Sequence, residues 1–579
     1  MLNVDLKIAS KALAKRIKEV LPSIISSEQT AYVKNRFIGE GGRLISDILE
    51  VSDTLHLNGY MVTIDFEKAF DSLNHAFLIA VLNKVGFPEY LVEWIKVFLN
   101  KQESCVVNNG TSTQYFPLQR GARQGDPISA YLFIISLEVL FVMIKNNSSI
   151  KPLTILNETF LYSAYADDAT FFLNDLESVE CLVNVLKVFY QYSDLKPNYE
   201  KCEIAGIGAS KGALGALWGM KTVDLTKECI RILGIYFSYN KSVMHDKNFI
   251  VTVEKIEKLL NIWRQRQLTL EGKIVIFKTL SISKIVHVAY LSNVPKAIVE
   301  KLEKIQSEFL WNGKRAKINN KTLCNKFQNG GLQKVDIQSK IDALQLSWIK
   351  RLNDENDHQW RKIPKITFTK YFGQSDIFYP HFSHGIASTP LIPTFYKDIL
   401  AKWSKCSSEP IDVRNMLGQY LWYNKHITIA GKPIFWKAFA RAGLTHVGHL
   451  CENGKFLIWN QLKQKFGLSD TLQFKYIQLV NAIPLVWKEK IRNEHSLILN
   501  NPYMHSQGIL LCTRLVPLVG LNSKQIYDIV VRNANHIPTA QKTLQRKFQD
   551  LEPESWKKIY ILHRKVTKQA YARNFQYKF

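Results

Sequence analysis

The stretch Leu161-Tyr-Ser-Ala-Tyr-Ala-Asp-Asp-Ala-Thr-Phe-Phe-Leu173 decides how this chain is read. Residues 159–165 are mostly apolar or aromatic, residues 169–173 are apolar again, and Asp167 and Asp168 interrupt them. Two short apolar runs around a polar pair predict two buried strands joined by a tight turn, with both acids at the turn. Adjacent like charges repel each other and resist desolvation, so something cationic is expected beside them. A pair of divalent ions is the obvious candidate, because hard oxygen ligands suit Mg²⁺. The plainer alternative is a hairpin turn in which Asp serves local hydrogen bonding. The stretch alone leaves the two readings level.

Upstream, Met61-Val-Thr-Ile-Asp-Phe-Glu-Lys-Ala-Phe-Asp-Ser72 begins as an apolar strand and ends in acids. Asp65 falls where the strand stops, a usual place for a catalytic group. Residues 75–86 and 88–100 carry helical periodicity, with Pro88 suited to a helix start. Gln102 to Val107 and Thr113 to Leu118 flank Asn108-Asn109-Gly110 and predict a β-hairpin. The loop Gln119-Arg-Gly-Ala-Arg-Gln-Gly-Asp-Pro-Ile-Ser129 then runs into an apolar helix from Ala130 to Ile144. Its Gly121 and Gly125 allow close backbone approach to a ligand, and Arg123 and Gln124 lie beside them. Downstream, 177–193 reads as helix, Lys201 sits in a turn entering a strand, and Arg231 to Phe237 reads as one short strand. Residues 5–22 and a stretch ending near Leu57 are helical. Between them Lys34, Arg36 and Arg43 form a basic cluster near turn residues, suited to phosphate.

The 579 residues are 46% hydrophobic and 12% aromatic, which fits a globular chain and not a disordered one. Lys and Arg number 76 against 50 Asp and Glu, a net +26, which implies a polyanionic partner, nucleic acid before membrane. No uninterrupted apolar run reads as long enough for a membrane span, and the first residues lack a signal peptide's apolar core. The eight cysteines are scattered without a Cys-x-x-Cys pair, as for reduced intracellular thiols. Across 241–350 the chain turns helical and basic, with 20 Lys and Arg against 9 Asp and Glu. There Trp263, Trp311 and Trp348 alternate with Arg264, Arg266, Lys314 and Arg315, which suits a surface along a nucleic-acid backbone. Beyond residue 350 lies a mixed, aromatic region with no chemical motif and a basic tail; the histidines there are scattered, so no second active site is expected.

The order of Asp65, Arg123-Gln124-Gly125 and Tyr165-Ala-Asp-Asp168 resembles a reverse transcriptase palm, and the chain is similar to LINE-type (non-LTR) retrotransposon reverse transcriptases. Ile25-Ser-Ser-Glu-Gln-Thr-Ala-Tyr-Val-Lys-Asn-Arg36 resembles the family's N-terminal fingers extension, and Asp65-Phe-Glu-Lys-Ala-Phe-Asp71 its first catalytic motif. Gly121 to Ser129 resembles the template- and nucleotide-holding motif, Leu195-Lys-Pro-Asn-Tyr-Glu-Lys201 the fourth palm motif, and Leu233-Gly-Ile235 the primer grip. The likeness continues through Leu268 to Lys273, Phe309 to Lys314 and Gly330-Gly-Leu332. Where Asp194 stands the family usually has a small residue such as Gly. Neither an apurinic-type endonuclease nor a Cys/His knuckle is recognised, so the chain is expected to be a segment of a longer polyprotein or a truncated copy.

The resemblance implies an α+β right-hand polymerase. Its parts are a fingers extension (1–60), a fingers and palm core (61–240), a helical basic thumb (241–350) and a divergent C-terminal region (351–579). It implies RNA-directed DNA polymerisation, with Asp65, Asp167 and Asp168 holding two Mg²⁺ ions, Mn²⁺ being the alternative ion. Phe66, Phe70, Arg36, Arg123, Gln124, Gly125 and Lys201 are expected at the incoming nucleotide, Phe70 beneath its sugar and Lys201 as proton donor to pyrophosphate. Lys34, Arg264, Arg266, Lys314 and Arg315 are expected on nucleic acid. The partners implied are an RNA template, a DNA primer or target DNA, and dNTPs, without a membrane; the family's habit implies the nucleus. Two other classes remain: an RNA-templated RNA polymerase, which a bulky Phe70 argues against, and a catalytically dead nucleic-acid-binding remnant, which the intact acids argue against.

Overall fold

The computed structural model describes residues 3–352 apart from 101 and 213. Between 358 and 566 it describes all but 373–388, 409–416, 418, 420, 423, 425, 453, 494–508, 512–513, 517–520, 534–535 and 548–551. Of the scattered histidines and cysteines, His381, His384, His495, His505 and Cys512 lie outside the described residues, as does the basic tail from 567. The chain packs as two compact units, Met1–His245 with Asn356–Ile363, and Asp246–Glu355 with Pro364–Phe579.

The first unit is α+β. Its helices α1 (Val4–Ile24) and α2 (Ile38–Thr54) precede strand β1 (Asn58–Ile64). Helices α3 (His75–Val85), α4 (Glu89–Leu99) and α5 (Ser129–Lys145) follow. Then come β2 (Tyr162–Tyr165), β3 (Asp168–Leu173), α6 (Leu176–Ser193), β4 (Glu203–Gly208) and the short β5 (Lys221–Thr222). The sheet order is β5-β4-β1-β3-β2. β1 pairs antiparallel with both β4 and β3, and β2 antiparallel with β3.

Helix α5 packs in the core behind this sheet. A helix that is apolar on every side must be buried, and Phe133, Ile134, Ile135, Leu137 and Phe141 are all fully enclosed. Phe141 stacks on Tyr162 of β2 at 4.3 Å and 8°, an aromatic contact worth about 1 kcal/mol beyond the area it buries. The strand that leads into the two acids therefore rests on the middle of the core.

Several local expectations change. Helix α1 runs through Pro22, not to it: the proline lies in the last turn, so few later hydrogen bonds are disturbed. Residues 231–237 are not one strand but a hairpin, β6 (Ile230–Ile232) on β7 (Ile235–Phe237). Leu233 and Gly234 turn it with φ of 49° and 79°, the positive pair a type I′ turn requires. Arg43 does not reach phosphate: it is buried on α2 against Asp47, with Nε 3.0 Å from the carboxylate.

The second unit is mainly helical. Its described helices include α7 (Val251–Arg264), α8 (Leu270–Leu291, a continuous helical run), α9 (Lys296–Trp311), α10 (Ile337–Leu352), α11 (Thr394–Cys406) and α12 (Ser523–Asn533). By length and composition α8 alone among the described helices would suffice for a membrane span, although Glu271, Lys273, Lys278 and Lys284 interrupt its apolar run, as the sequence reading expects of every such run. Its Ile274, Phe277, Ile282, Ile285 and Val288 are nevertheless buried inside the unit. Trp348 of α10 is fully buried and donates its ring N–H to Tyr290 O at 2.8 Å, as a core tryptophan does.

Candidate active site

Register builds the site. In the β1–β3 ladder Ile64 faces Ala169, so one further step sets Asp65 beside Asp168. In the β2–β3 ladder Tyr165 faces Asp168, which leaves Ala166 and Asp167 as the two turn residues. Ala166 has φ of +54°, a left-handed conformation unusual for a residue with a Cβ. A side chain from far upstream holds it there. Gln29, wholly buried, donates from Nε2 to Ala166 O at 3.1 Å, and its Oε1 accepts the Ala166 N–H at 2.9 Å and the Ala31 N–H at 3.0 Å. The same segment lies along β2, with Thr30 N–H donating to Ala164 O and Ala164 N–H to Glu28 O.

Asp65 is fixed through its backbone by the segment that follows α6. Its carbonyl accepts the Asn198 N–H at 2.8 Å, and its N–H points at Cys202 Sγ at 3.4 Å. The neighbouring Glu67 N–H donates to Lys196 O. Asp194, where a small residue was expected, caps α6 with φ of +58°. Asp tolerates that left-handed conformation better than most residues, and its side chain accepts from Asn74 Nδ2 at 2.9 Å.

A concavity of about 350 Å³ opens here, with Asp65, Asp168, Lys201 and Arg231 on its walls. Asp167 is half-buried at the turn beside it. Partial loss of hydration, followed by the charge of Asp65, holds the Asp167 carboxyl above the usual carboxylate range. Asp168 reaches solvent, yet its concave surroundings raise it too, aided by Asp167 and Asp65 and opposed by Arg231. Among the described residues, no three His, Cys, Asp or Glu side chains converge into a ready-made metal cage. Carboxylates at an open mouth, their negative charge only partly offset by Arg231, fit a Mg²⁺ ion that keeps waters and completes its shell from a ligand phosphate. The donor set is suitable.

The loop before α5 docks on the segment after β1. Gly121 N–H donates to Leu73 O and Ala122 N–H to Phe70 O. Gly121 has φ of +91°, and a Cβ there would lie 2.7 Å from Asp71 O, so glycine is required. Gly125, φ +84° and open on its side-chain face, is exposed with Gln124, and Arg123 is half-buried near Asp126. Phe70 is half-buried and stacks on Phe133 at 4.3 Å.

Two expectations fail on contact geometry. Phe66 is 5% exposed and belongs to the core, so its ring cannot face a nucleotide. Arg36 spends its guanidinium on backbone: Nη1 donates to Ser26 O at 2.5 Å and Gln29 O at 2.7 Å, and Nη2 to Ile25 O at 3.0 Å. It braces the segment that carries Gln29 and does not reach for phosphate. Lys34 is exposed, 3.9 Å from Glu19. Arg264, Arg266, Lys314 and Arg315 are exposed on the second unit, with Arg266 over the Trp263 ring at 5.6 Å. Gln29 and Arg231 escaped sequence reading. The only signal for Gln29 was its place inside the motif-like 25–36 segment, and for Arg231 its position two residues before Leu233-Gly234.

The family model for reverse transcriptase (RNA-dependent DNA polymerase) matches residues 1–237. The chain is similar to the transposon TX1 uncharacterized 149 kDa protein of Xenopus laevis, 26% identical over 78% of this chain and 35% of that protein. It is also similar to the retrovirus-related Pol polyprotein from type-2 retrotransposable element R2DM of Drosophila melanogaster, 24% identical over 34% of this chain and 19% of that one. It thus spans about a third or less of the curated relatives it matches. A telomerase from Candida albicans, solved in complex with a fragment of telomeric RNA, is a looser likeness, with a TM-score of 0.33, 10% identity, and 54% of this chain and 55% of that one covered. The whole five-stranded sheet and its acid-bearing strand ends lie inside the span that matches the reverse transcriptase model, and the chain is similar to proteins of non-LTR retrotransposons.

Proposed function

We propose that this chain is an RNA-directed DNA polymerase, extending a primer 3′-hydroxyl on an RNA template with dNTPs. The reading rests on one observation above the rest: strand register sets Asp65 beside the Asp167–Asp168 turn, next to a concavity that also carries Lys201 and Arg231. Reverse transcriptases generally use divalent metals. Here Asp65, Asp167 and Asp168 would hold two Mg²⁺ ions, which when bound assist loss of the 3′-hydroxyl proton and offset charge on the leaving pyrophosphate.

The chain's own groups divide the remaining work. Lys201 and Arg231 face the triphosphate with positive charge, and the Lys201 ammonium donates a proton to the departing pyrophosphate. Gln124 and Gly125 approach the incoming nucleotide, with Arg123 behind them. The braced turn keeps Asp167 in one orientation through the reaction. In this reading residues 1–60 are the fingers extension, 61–240 the fingers and palm, and 241–350 the thumb of a right-hand polymerase, working on nuclear DNA.

Primer extension on an RNA template, run once with deoxynucleotides and once with ribonucleotides, tests the proposal. Deoxynucleotide-dependent extension is expected. Extension only with ribonucleotides would make the chain an RNA polymerase, and none with either would make it a binding remnant.

Two substitutions refine it. In this reading Phe70, which stacks on Phe133, lies beneath the incoming sugar, where a 2′-hydroxyl would clash with it. Phe70→Ala is expected to raise ribonucleotide use relative to deoxynucleotide by about tenfold or more; an unchanged ratio in single-nucleotide incorporation would return Phe70 to the core. Separately, Arg264 and Arg266 are exposed cations on the basic second unit. If they meet template–primer phosphates, Arg264→Gln with Arg266→Gln should reduce the log–log salt slope of binding by roughly 1–2. A slope equal to the parent's removes them from the interface.

A further inference from the structure

The second unit contains a cavity of about 680 Å³, larger than the concavity beside Asp65. Its walls are mainly apolar, with Ile282 and Val286 of α8, Val335, and Val531 and Tyr527 of α12. Five lysines also line it: Lys278, Lys326, Lys334, Lys340 and Lys524. Lys326 is paired, 3.1 Å from Asp528. The other four have no carboxylate within ion-pairing distance among the described residues.

That arrangement is costly when empty. Lys334 is only 6% exposed, and its charge acts on Glu303 without an ion pair forming between them, whereas buried ammonium groups are normally paired. Lys340 lies 5.9 Å above the Tyr527 ring; burial, then the charge of Lys278, pulls its ammonium below the ordinary lysine range. The Tyr527 hydroxyl is already engaged, accepting the Asp336 N–H at 3.1 Å. What Tyr527 offers the cavity is therefore its ring.

Apolar and aromatic walls with a few convergent charges are the make-up of a small-ligand site, and the volume lies within the usual range for one. The charge selects an anion, and the walls select one that carries a flat apolar part. We propose that this cavity binds a nucleoside phosphate, its base against Tyr527 and the valines, its phosphates on Lys278, Lys334, Lys340 and Lys524. Stacking on an aromatic face tolerates any base, so the site reads phosphate and a ring, not sequence. The occupant is either a free nucleotide or one nucleotide of a single strand, which share this chemistry. The site lies wholly within the second unit and does not depend on the polymerase reading.

Photolabelling of the full-length chain distinguishes these sources. The probes are 8-azido-ATP and a short oligonucleotide carrying one 8-azidoadenosine, both used in EDTA so that metal-dependent binding near Asp65 is suppressed. Peptide mapping is expected to find adducts within 333–340 or 524–531. Labelling by free nucleotide alone identifies a nucleotide site, and labelling by the oligonucleotide identifies a strand site. Lys278→Glu with Lys524→Glu, both at exposed positions, should weaken labelling about tenfold with the melting temperature unchanged. Adducts absent from these peptides with both probes, or labelling indifferent to the double substitution in a folded protein, would overturn the proposal.

Discussion

Asp167→Asn is expected to lower primer extension by roughly a thousandfold, about 4 kcal/mol of transition-state stabilisation, while the protein binds template–primer as before. Asn keeps the volume and the turn but removes a charge that a cation would need. Binding survives because phosphate contacts from the basic surface do not pass through that carboxylate. The same substitution should raise the melting temperature in metal-free buffer. Asp167 has its folded pKa raised, by partial burial first and by Asp65 second. A carboxylate with a raised folded pKa penalises the fold at pH above that value, and the penalty fades as pH falls through it. The gain in melting temperature should therefore be largest near neutral pH and close in acid. Adding Mg²⁺ should stabilise the parent more than the variant, because a cation that binds only the folded state raises its stability. Near-parental extension by Asp167→Asn would sink the site; a variant that melts below the parent at neutral pH would sink the electrostatic account.

What the sequence made legible follows from locality. The two strands around Asp167-Asp168, the end of β1 at Asp65 and the buried α5 depend on apolar periodicity within about 20 residues, and each formed where that periodicity points. Periodicity fails where the chain reverses without a polar marker. Arg231 to Phe237 carries apolar residues on both sides of Leu233-Gly234, so a hairpin resembles one strand. Charge in sequence also does not report burial. Lys34, Arg36 and Arg43 read as one basic cluster, yet Lys34 is exposed, Arg36 binds carbonyls and Arg43 is enclosed with Asp47. In the candidate site, the acids were legible as an unusual pair beside apolar strands. Arg231 was not, because one more arginine in a chain of 76 basic residues carries no local signal. The departure at Asp194 resolved itself, since its backbone takes the conformation that a glycine would take there.

The same limit applies to Gln29, which lies 137 residues from the turn it holds. Its buried amide satisfies three backbone groups, the N–H of Ala31 and both the N–H and the C=O of Ala166. Gln29→Met fills the same space without those bonds and strands three polar groups in a dry interior. At about 1–3 kcal/mol for each unsatisfied group, and with Ala166 free to leave its left-handed conformation, a stability loss of about 3 kcal/mol or more is expected. Activity should fall about a hundredfold, in kcat more than in KM, because Asp167 loses its orientation while the binding surface stays intact. The two variants then separate: Asp167→Asn is inactive and melts higher, whereas Gln29→Met is impaired and melts lower. Gln29→Glu keeps an acceptor for the two N–H groups, so it should recover part of the stability. Its added charge beside Asp167 should instead raise the Asp167 pKa further, moving the rising limb of the pH profile to higher pH, and lower the Mg²⁺ concentration needed for half-maximal activity. A Gln29→Met protein with parental kcat, measured well below its melting temperature, would show that the turn keeps Asp167 in place without the glutamine.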